Sequence, residues 1–276
     1  MWGQRFLMCP PDHFEVAYEI NPWMHTEVAV DGDLARAQWE RLVSALTEAG
    51  AVIEWLSPVR GLPDLVFTAN AGLVDGHVYV PARFKNPERQ PETEHDTAWF
   101  LDHQFTVKPL PEGLVLEGAG DALPFAARGR PPVLVAGYRI RSDVRAHAVV
   151  SRLLGVAVRS VELVDPRLYH LDLAFCPLDA RRALVVWAAF DHYGRKVVAD
   201  LVPEPIELLP EEAFAFVGNS VVVGDVIIMP TCPVRVGRLL EGAGFSIEVC
   251  DVSEFIKAGG ACRCLTLALD VRLSLG

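Results

Sequence analysis

The chain has 276 residues, of which 51% are hydrophobic and 22% are charged, as is typical of a globular protein with a large core. Its 36 acidic residues outnumber its 25 basic residues. This excess of negative charge argues against a nucleic-acid partner and is compatible with a small cationic substrate. The N-terminal segment lacks the apolar run of a secretory signal, and no window is apolar enough to predict a membrane span. We therefore expect a cytoplasmic protein that binds neither nucleic acid nor membranes.

The first element with a clear periodicity is a helix. The stretch DLARAQWERLVSALTEAGA places Leu34, Leu42 and Leu46 at helical spacing, with Asp31 or Asp33 as the N-cap and Gly50 as the stop. Shorter helices are predicted for DTAWFLDHQF, RSDVRAHAVVSRLLG and CPVRVGRLLEGAG.

Short hairpins lie between these helices. NAGLVDGHVYVPARF begins at Asn70 and NSVVVGDVIIMPTCP begins at Asn219, each with a D-G or G-D turn between β-branched runs. Two longer segments of the same kind follow Asp121 and Asp172, and a last apolar run follows Cys264.

These five anchor residues recur at intervals of 51, 51, 47 and 45 positions. Self-similarity at a fixed period indicates a repeat or propeller architecture. We therefore predict an α/β fold, with 1–276 as a single domain and five units of the ββαβ type tiling the chain from about residue 60 to its end. A ring of such units would bring the five anchors together at one central channel.

Six cysteines are scattered along the chain without a dense disulfide pattern, so free thiols are expected. Two of them, Cys262 and Cys264, flank a single arginine near the end of the sequence. By type and spacing they are packing residues, part of a metal site, or a nucleophile.

The polar residues beside the anchors suggest a chemistry. Glu117 and Asp64 are carboxylates among apolar residues and glycines, and carboxylate pairs match the planar guanidinium group. A cysteine gives a nucleophile and His170 an acid–base group. Singly each residue has a structural explanation, but together they predict cleavage of a guanidine C–N bond.

The motifs PDLVFTANAG, EGAGDALPF, YHLDLAFCPL and KAGGACRCLTL resemble the guanidino-group modifying superfamily, and most closely its arginine dihydrolase branch. The resemblance covers nearly the whole chain and implies the five-bladed α/β propeller of that superfamily. It also implies Cys264 as the nucleophile, His170 as the general acid and base, and Glu117 as the carboxylate beside it that holds the guanidinium. The substrate-binding residues that it implies are Asp64, Asn70, Arg83, Arg141, Asp172 and Asn21.

The expected function is that of a cofactor-free and metal-free hydrolase that forms a covalent thiouronium intermediate on Cys264. Its substrate would be arginine or a close guanidino compound, converted to ornithine, ammonia and carbon dioxide by a dihydrolase or to citrulline by a deiminase. Dimethylarginine hydrolysis and amidino transfer are the enzymatic alternatives. Outside enzymes, the alternatives are a metal-binding module using Cys262, Cys264 and His170, or an inactive ligand-binding protein.

The dihydrolase branch is often fused to a long C-terminal region that acts on ornithine. Because this sequence ends at Gly276, we expect it to lack that second activity. The sequence leaves the oligomeric state open, with a homo-oligomer as one possibility.

Overall fold

The computed structural model describes residues 3–273, and its strands form five separate three-stranded sheets. The strands in chain order are β1 (Arg5–Met8), β2 (Val52–Trp55), β3 (Gly72–Asp75), β4 (Val78–Pro81), β5 (Thr106–Val107), β6 (Ala122–Phe125), β7 (Val133–Tyr138), β8 (Ala157–Glu162), β9 (Phe175–Pro177), β10 (Arg182–Val185), β11 (Glu204–Glu207), β12 (Val221–Val223), β13 (Val226–Met229), β14 (Ser246–Val249) and β15 (Leu267–Ala268).

The α-helices lie mostly between the second and third strands of each sheet. They are α1 (Gly32–Glu48), α2 (Glu92–Asp102), α3 (Gly118–Asp121), α4 (Val144–Leu154), α5 (His192–Leu201), α6 (Pro210–Phe214), α7 (Val234–Gly242) and α8 (Ser253–Ile256). No helix within residues 3–273 combines the length and apolar character needed to cross a membrane.

Every sheet has the same internal order. An inner strand pairs antiparallel with the middle strand, and a helix then returns the chain to a third strand parallel to the middle one, as in β3-β4-β5 and β12-β13-β14. A helix is the usual way to connect parallel neighbours. The ββαβ unit predicted from the sequence is therefore confirmed.

The fifth unit differs from the prediction that all five follow one another from residue 60 onward. It consists of β15 from the end of the chain and of β1, α1 and β2 from its beginning. Phe6 pairs with Ala268 and Leu7 with Leu267, so hydrogen bonds between distant segments close the fifth unit.

The five anchors each lie a few residues before the inner strand of a sheet. Asn70, Asp121, Asp172 and Asn219 precede β3, β6, β9 and β12, and Cys264 precedes β15. All five are buried, with exposed fractions of 0–3%. Three of the five meet directly, since the side chains of Asn219 and Asp172 both contact the Cys264 sulfur.

Two helix predictions need adjustment. Asp31 caps α1 by accepting a 3.0 Å hydrogen bond from the Leu34 N–H, and Gly50 adopts a left-handed φ of 96° after its end, but Leu34 itself is 42% exposed. The helix instead buries a face that includes Trp39 and Leu42. Helix α2 begins at Glu92, four residues before the predicted start at Asp96.

Candidate active site

The turn that carries Cys264 is organised by one side chain. The Asn219 Oδ1 atom accepts hydrogen bonds from the backbone N–H groups of Ala261, Arg263 and Cys264, each at 3.1 Å. The other end of the same amide donates to the Cys264 sulfur at 3.2 Å. Asn219 therefore fixes both the backbone and the sulfur of this turn.

The Cys264 sulfur also contacts a carboxylate. Its S–H lies 3.4 Å from Asp172 Oδ2, and both side chains are buried. Burial raises the pKa of the Cys264 thiol well above its ordinary value, and the charge of Asp172 raises it further. The resting group is consequently a thiol hydrogen-bonded to Asp172.

His170 and Glu117 form a second pair near the channel. His170 Nε2 lies 2.7 Å from Glu117 Oε2, and the Arg141 guanidinium donates to the same oxygen at 2.8 Å. Burial opposes ionisation of Glu117, but Arg141 and His170 outweigh it and hold the pKa of this carboxyl well below its ordinary value. The Glu117 carboxylate thus orients the His170 ring while remaining charged.

Asp121 supports this pair from behind. It accepts a 2.5 Å hydrogen bond from the Ser142 hydroxyl and a 3.1 Å bond from the Leu171 N–H. The Ser142 oxygen in turn accepts from the Glu117 N–H at 3.0 Å. The anchor Asp121 therefore joins the segments that carry Glu117 and His170.

A buried arginine that the sequence did not single out holds Asn70. Arg89 forms two hydrogen bonds to Glu92, at 2.9 and 2.8 Å, and donates to Asn70 Oδ1 at 2.9 Å. The Asn70 amide donates in the opposite direction to the Glu117 carbonyl at 3.0 Å. Both ends of the Asn70 side chain are therefore fixed, and the motif NPERQPE contains the buried pair responsible for this.

One small cavity brings most of the predicted site residues together. The polar or ionisable side chains that line it include Asn21, Asp64, Asn70, Arg89, Arg141 and Cys264. Glu117 and His170 connect to it through Arg141, and Asp172 through Cys264. Arg83 is not among its lining residues, and its backbone pairs with Leu116.

Asn21 belongs to an N-terminal segment that contributes Ile20 and Asn21 to the cavity wall. Its amide donates to the Ala258 carbonyl at 3.0 Å and accepts from the Trp23 N–H at 2.9 Å. It lies against Gly259, which has a left-handed φ of 83° and where an added Cβ would meet Asn21 at 2.8 Å and Tyr169 at 2.9 Å. This close approach requires glycine at position 259.

Two carboxylate oxygens of the site lack hydrogen-bond partners within residues 3–273. These are Asp64 Oδ1 and Asp172 Oδ1, both buried. Burial raises the pKa of Asp64, an effect that Arg89 only partly offsets, and raises the pKa of Asp172 to about 7. Asp64 Oδ2 lies 3.8 Å from Arg89 Nε, so the Oδ1 atoms of Asp64 and Asp172 are the ones left open to a further hydrogen-bond donor.

The metal-binding alternative finds no support in the described part of the chain. Cys262, Cys264 and His170 do not converge on one point, and the single cluster of three potential ligands is exposed at Glu19, His25 and Glu27. Cys262 is fully buried, with its sulfur 3.9 Å from the Cys250 carbonyl. Cys262 is a packing residue.

No protein-family model matches the chain, but curated proteins do. The bifunctional arginine dihydrolase/ornithine cyclodeaminase ArgZ of Synechocystis is 43% identical over 266 residues, which are 95% of this chain and 37% of ArgZ. The N(G),N(G)-dimethylarginine dimethylaminohydrolase of Mycobacterium tuberculosis is 38% identical over 266 residues, which are 96% of this chain and 86% of that protein. The chain belongs to the guanidino-group modifying superfamily.

Solved structures of this superfamily confirm the fold. The N-terminal domain of ArgZ superimposes with a TM-score of 0.93 at 41% identity, covering 98% of this chain and 99% of that domain. A dimethylarginine dimethylaminohydrolase that is only 20% identical superimposes with a TM-score of 0.76, which speaks to the fold alone. The five-bladed α/β propeller predicted for this member of the superfamily is thus correct.

Proposed function

We propose that this protein is an arginine hydrolase that uses Cys264 as a covalent nucleophile and carries arginine through two rounds of hydrolysis to ornithine, ammonia and carbon dioxide. The observation that carries the proposal is the small cavity in which the Cys264 sulfur, the Asp64 carboxyl with its free Oδ1 atom, Asn70 and Arg141 meet. Arg141 connects this cavity to the Glu117–His170 pair.

The guanidinium group of the substrate would lie between Asp64 and Asp172. Their free Oδ1 atoms are acceptors that a planar cation can satisfy with two N–H groups. Glu117 already accepts from Arg141, His170 and the Lys85 N–H, so its main task is to hold the His170 ring.

The arriving cation would also activate the nucleophile. A positive charge beside a buried thiol favours the thiolate, and the Cys264 S–H already points to Asp172 as a proton acceptor. The sulfur then attacks the guanidinium carbon, and His170 protonates the departing ammonia. A water molecule deprotonated by His170 resolves the thiouronium intermediate to citrulline.

A second round would cleave the ureido group of citrulline at the same sulfur. Two water molecules are consumed in all, and the sum of the two rounds is ornithine, two ammonia molecules and carbon dioxide. Asn70, clamped between Arg89 and the Glu117 carbonyl, lies where it can hold the ureido oxygen or nitrogen for this second attack.

One arginine of the cavity wall, Arg141, is placed to bind the α-carboxylate end of the substrate. Arg141 and Arg89 both line the cavity, whereas Arg83 does not. Arg141 also donates to the Ile20 carbonyl at 2.9 Å and stacks on Tyr169, so its guanidinium is held at the cavity wall. We therefore propose Arg141 for this role. The Arg89 N–H groups are used by Glu92, Asn70 and the Asp64 carbonyl, beside the carboxylate proposed to hold the opposite end of the substrate.

The relatives support this substrate. A C264S variant of the ArgZ N-terminal domain is known bound to its substrate, and a C264A variant of AgrE is known with L-arginine. The chain spans about 37% of the length of ArgZ and AgrE, so their whole activities are not carried over. We also propose that the protein is cytoplasmic, that residues 1–276 form a single domain and that the protein is a homo-oligomer.

Incubation of the purified protein with arginine tests the proposal. We expect ornithine to form with two equivalents of ammonia, whereas accumulation of citrulline would identify a deiminase. Because the chain is 38% identical to the mycobacterial dimethylarginine hydrolase, methylated arginine must be assayed as an alternative substrate. Mass analysis that shows faster turnover of dimethylarginine than of arginine would overturn the proposal, and amine-dependent turnover would indicate an amidinotransferase.

A further inference from the structure

The propeller channel contains a second cavity, beyond the turn that carries Cys264. Its walls come from the inner strands β6, β9, β12 and β15 and from β1. In each inner strand these wall residues follow the anchor residue, so the cavity lies further along the channel than the active site. Among residues 3–273, none lines both cavities.

Arg263 is the one charged side chain in this second cavity within the described residues. It also lines a smaller adjoining space that shares Ala268 and Val271 with the larger one. Arg263 and Cys264 are neighbours in the chain but face different cavities. The backbone between them therefore separates the active site from the far part of the channel.

The guanidinium of Arg263 is poorly satisfied by the described part of the chain. Its single hydrogen bond runs from Nη1 to the Thr266 carbonyl at the long distance of 3.4 Å. No carboxylate of residues 3–273 lies within ion-pair distance of it. A guanidinium has five N–H donors. Arg263 is partly exposed and none of its nitrogen atoms is buried without a partner, so its remaining N–H groups are open to water or to a ligand in the cavity.

The surrounding walls determine which ligand would fit. Leu123, Phe175 and Val222 are apolar, and the hydroxyl of Ser220 is already used in a 2.8 Å bond to the Val217 carbonyl. A carboxylate can accept two parallel hydrogen bonds from a guanidinium, while a short alkyl chain gains free energy against apolar walls. The space is narrow, with room for only a few water-sized groups.

We propose that this second cavity is a binding site for a short monocarboxylate of two to four carbon atoms, with its carboxylate on Arg263 and its alkyl chain against Leu123, Phe175 and Val222. The site is separate from the arginine-binding cavity, and the proposal does not depend on the proposed hydrolase activity. Occupancy would neutralise the one cation that lies directly behind the nucleophile turn.

Calorimetric titration of the full chain with sodium propionate tests the proposal, with propionamide as the neutral control of equal size. We expect propionate to bind and propionamide not to bind. Arg263→Gln should weaken propionate binding at least tenfold, and Arg263→Lys should retain part of it. Arg141→Gln removes an active-site cation that could also attract carboxylates, and it should leave propionate affinity within twofold.

A cavity-filling variant gives an independent measurement if Arg263→Gln fails to fold. Val222→Trp places bulk where the alkyl chain would lie and should abolish propionate binding while the Arg141→Gln variant keeps it. The proposal is wrong if propionate does not bind, if Arg263→Gln binds it as the wild type does, or if Arg141→Gln abolishes binding. Crystals grown with propionate that show only water or chloride at Arg263 would contradict it as well.

Discussion

Asn219 holds the Cys264 turn from both ends of one amide, accepting three backbone N–H groups at Oδ1 and donating to the sulfur from Nδ2. Replacing it with alanine should leave these donors buried without a partner, at a cost of about 1–3 kcal/mol for each one that water does not reach. We expect Asn219→Ala to lose both thermal stability and turnover, measured by melting temperature and kcat.

Asn219→Asp is the matched control. It keeps the oxygen that accepts the three N–H groups but places a second negative charge beside Cys264 and Asp172. Stability should fall less than in Asn219→Ala, while the pH needed for full kcat should rise because the thiolate is disfavoured. Equal losses of stability in the two variants would show that the three hydrogen bonds do not hold the turn.

Cys264→Ser tests the nucleophile against its neighbour. Removing the sulfur should reduce turnover of arginine at least about 1,000-fold and leave arginine binding measurable by calorimetry. Cys262→Ser is the matched control, because Cys262 is buried against Cys250 and faces away from the cavity, and it should retain most of the activity. Inactivation by Cys262→Ser in a protein of normal melting temperature would mean that the wrong thiol had been chosen.

Asp64→Asn tests the carboxylate proposed to hold the guanidinium. It preserves shape but removes the charge, and loss of one partner of a buried charge pair weakens binding by about 2–5 kcal/mol. We expect a large rise in KM for arginine. Asp96→Asn is the control: Asp96 is equally buried with one unpaired oxygen, but it does not line the cavity, so KM should not change. A similar KM effect in both variants would point to a general structural cause.

The buried carboxyl of Asp172 should make stability depend on pH. Burial raises its pKa from 3.8 to about 7 in the folded protein, so between these values the folded state holds a proton that the unfolded state has lost. The free energy of unfolding therefore falls as the pH rises through this window. Asp172→Asn should reduce the difference in unfolding free energy between pH 5 and pH 8, measured by urea titration without ligand.

The exposed Asp225, in the turn between β12 and β13, provides the comparison for this pH experiment. Asp225→Asn should leave the pH dependence of unfolding as in the wild type. If Asp172→Asn shows the same difference between pH 5 and pH 8 as Asp225→Asn, the Asp172 carboxyl is not protonated at neutral pH.

Glu92→Gln tests the clamp on Asn70. Without the Glu92 charge, the buried Arg89 keeps only the more distant Asp64 carboxylate, 3.8 Å away. Breaking a buried pair typically costs about 3–5 kcal/mol, and the Arg89 hydrogen bond to Asn70 is no longer fixed. We expect a lower melting temperature and a higher ratio of citrulline to ornithine among the products. Glu94 is exposed on the same helix α2, so Glu94→Gln should change neither quantity. If Glu92→Gln left the product ratio unchanged, the orientation of Asn70 would not affect the second round of hydrolysis.

Site residues that stand in a sequence motif could be predicted from the sequence. Site residues that are defined only by their contacts in the folded protein could not. Cys264, Asp64 and Asn70 stand in motifs that the sequence displays, and the structure places them around one cavity. The sequence predicted Arg83 as a substrate-binding arginine, but the arginine that lines the cavity is Arg89, six positions further along the same segment.

Only the packing of α2 decides between them. Glu92 begins that helix and draws Arg89 inward through two hydrogen bonds, whereas Arg83 lies in a backbone pairing with Leu116. An ion pair of this kind leaves no periodic pattern in the sequence, so the buried role of Arg89 becomes visible only in three dimensions.

By itself the sequence determined the repeat. A polar anchor residue stands before each inner strand, and the spacing of these anchors reveals the length of the repeating unit and the polar residues that its centre contains. The tertiary structure decided how the repeat closes and which cations face which cavity. Closure depends on pairing between β1 and β15, segments about 260 positions apart, and the direction of each charged side chain depends on buried partners from other units. Such long-range contacts are fixed by the free energy of the whole fold rather than by local sequence.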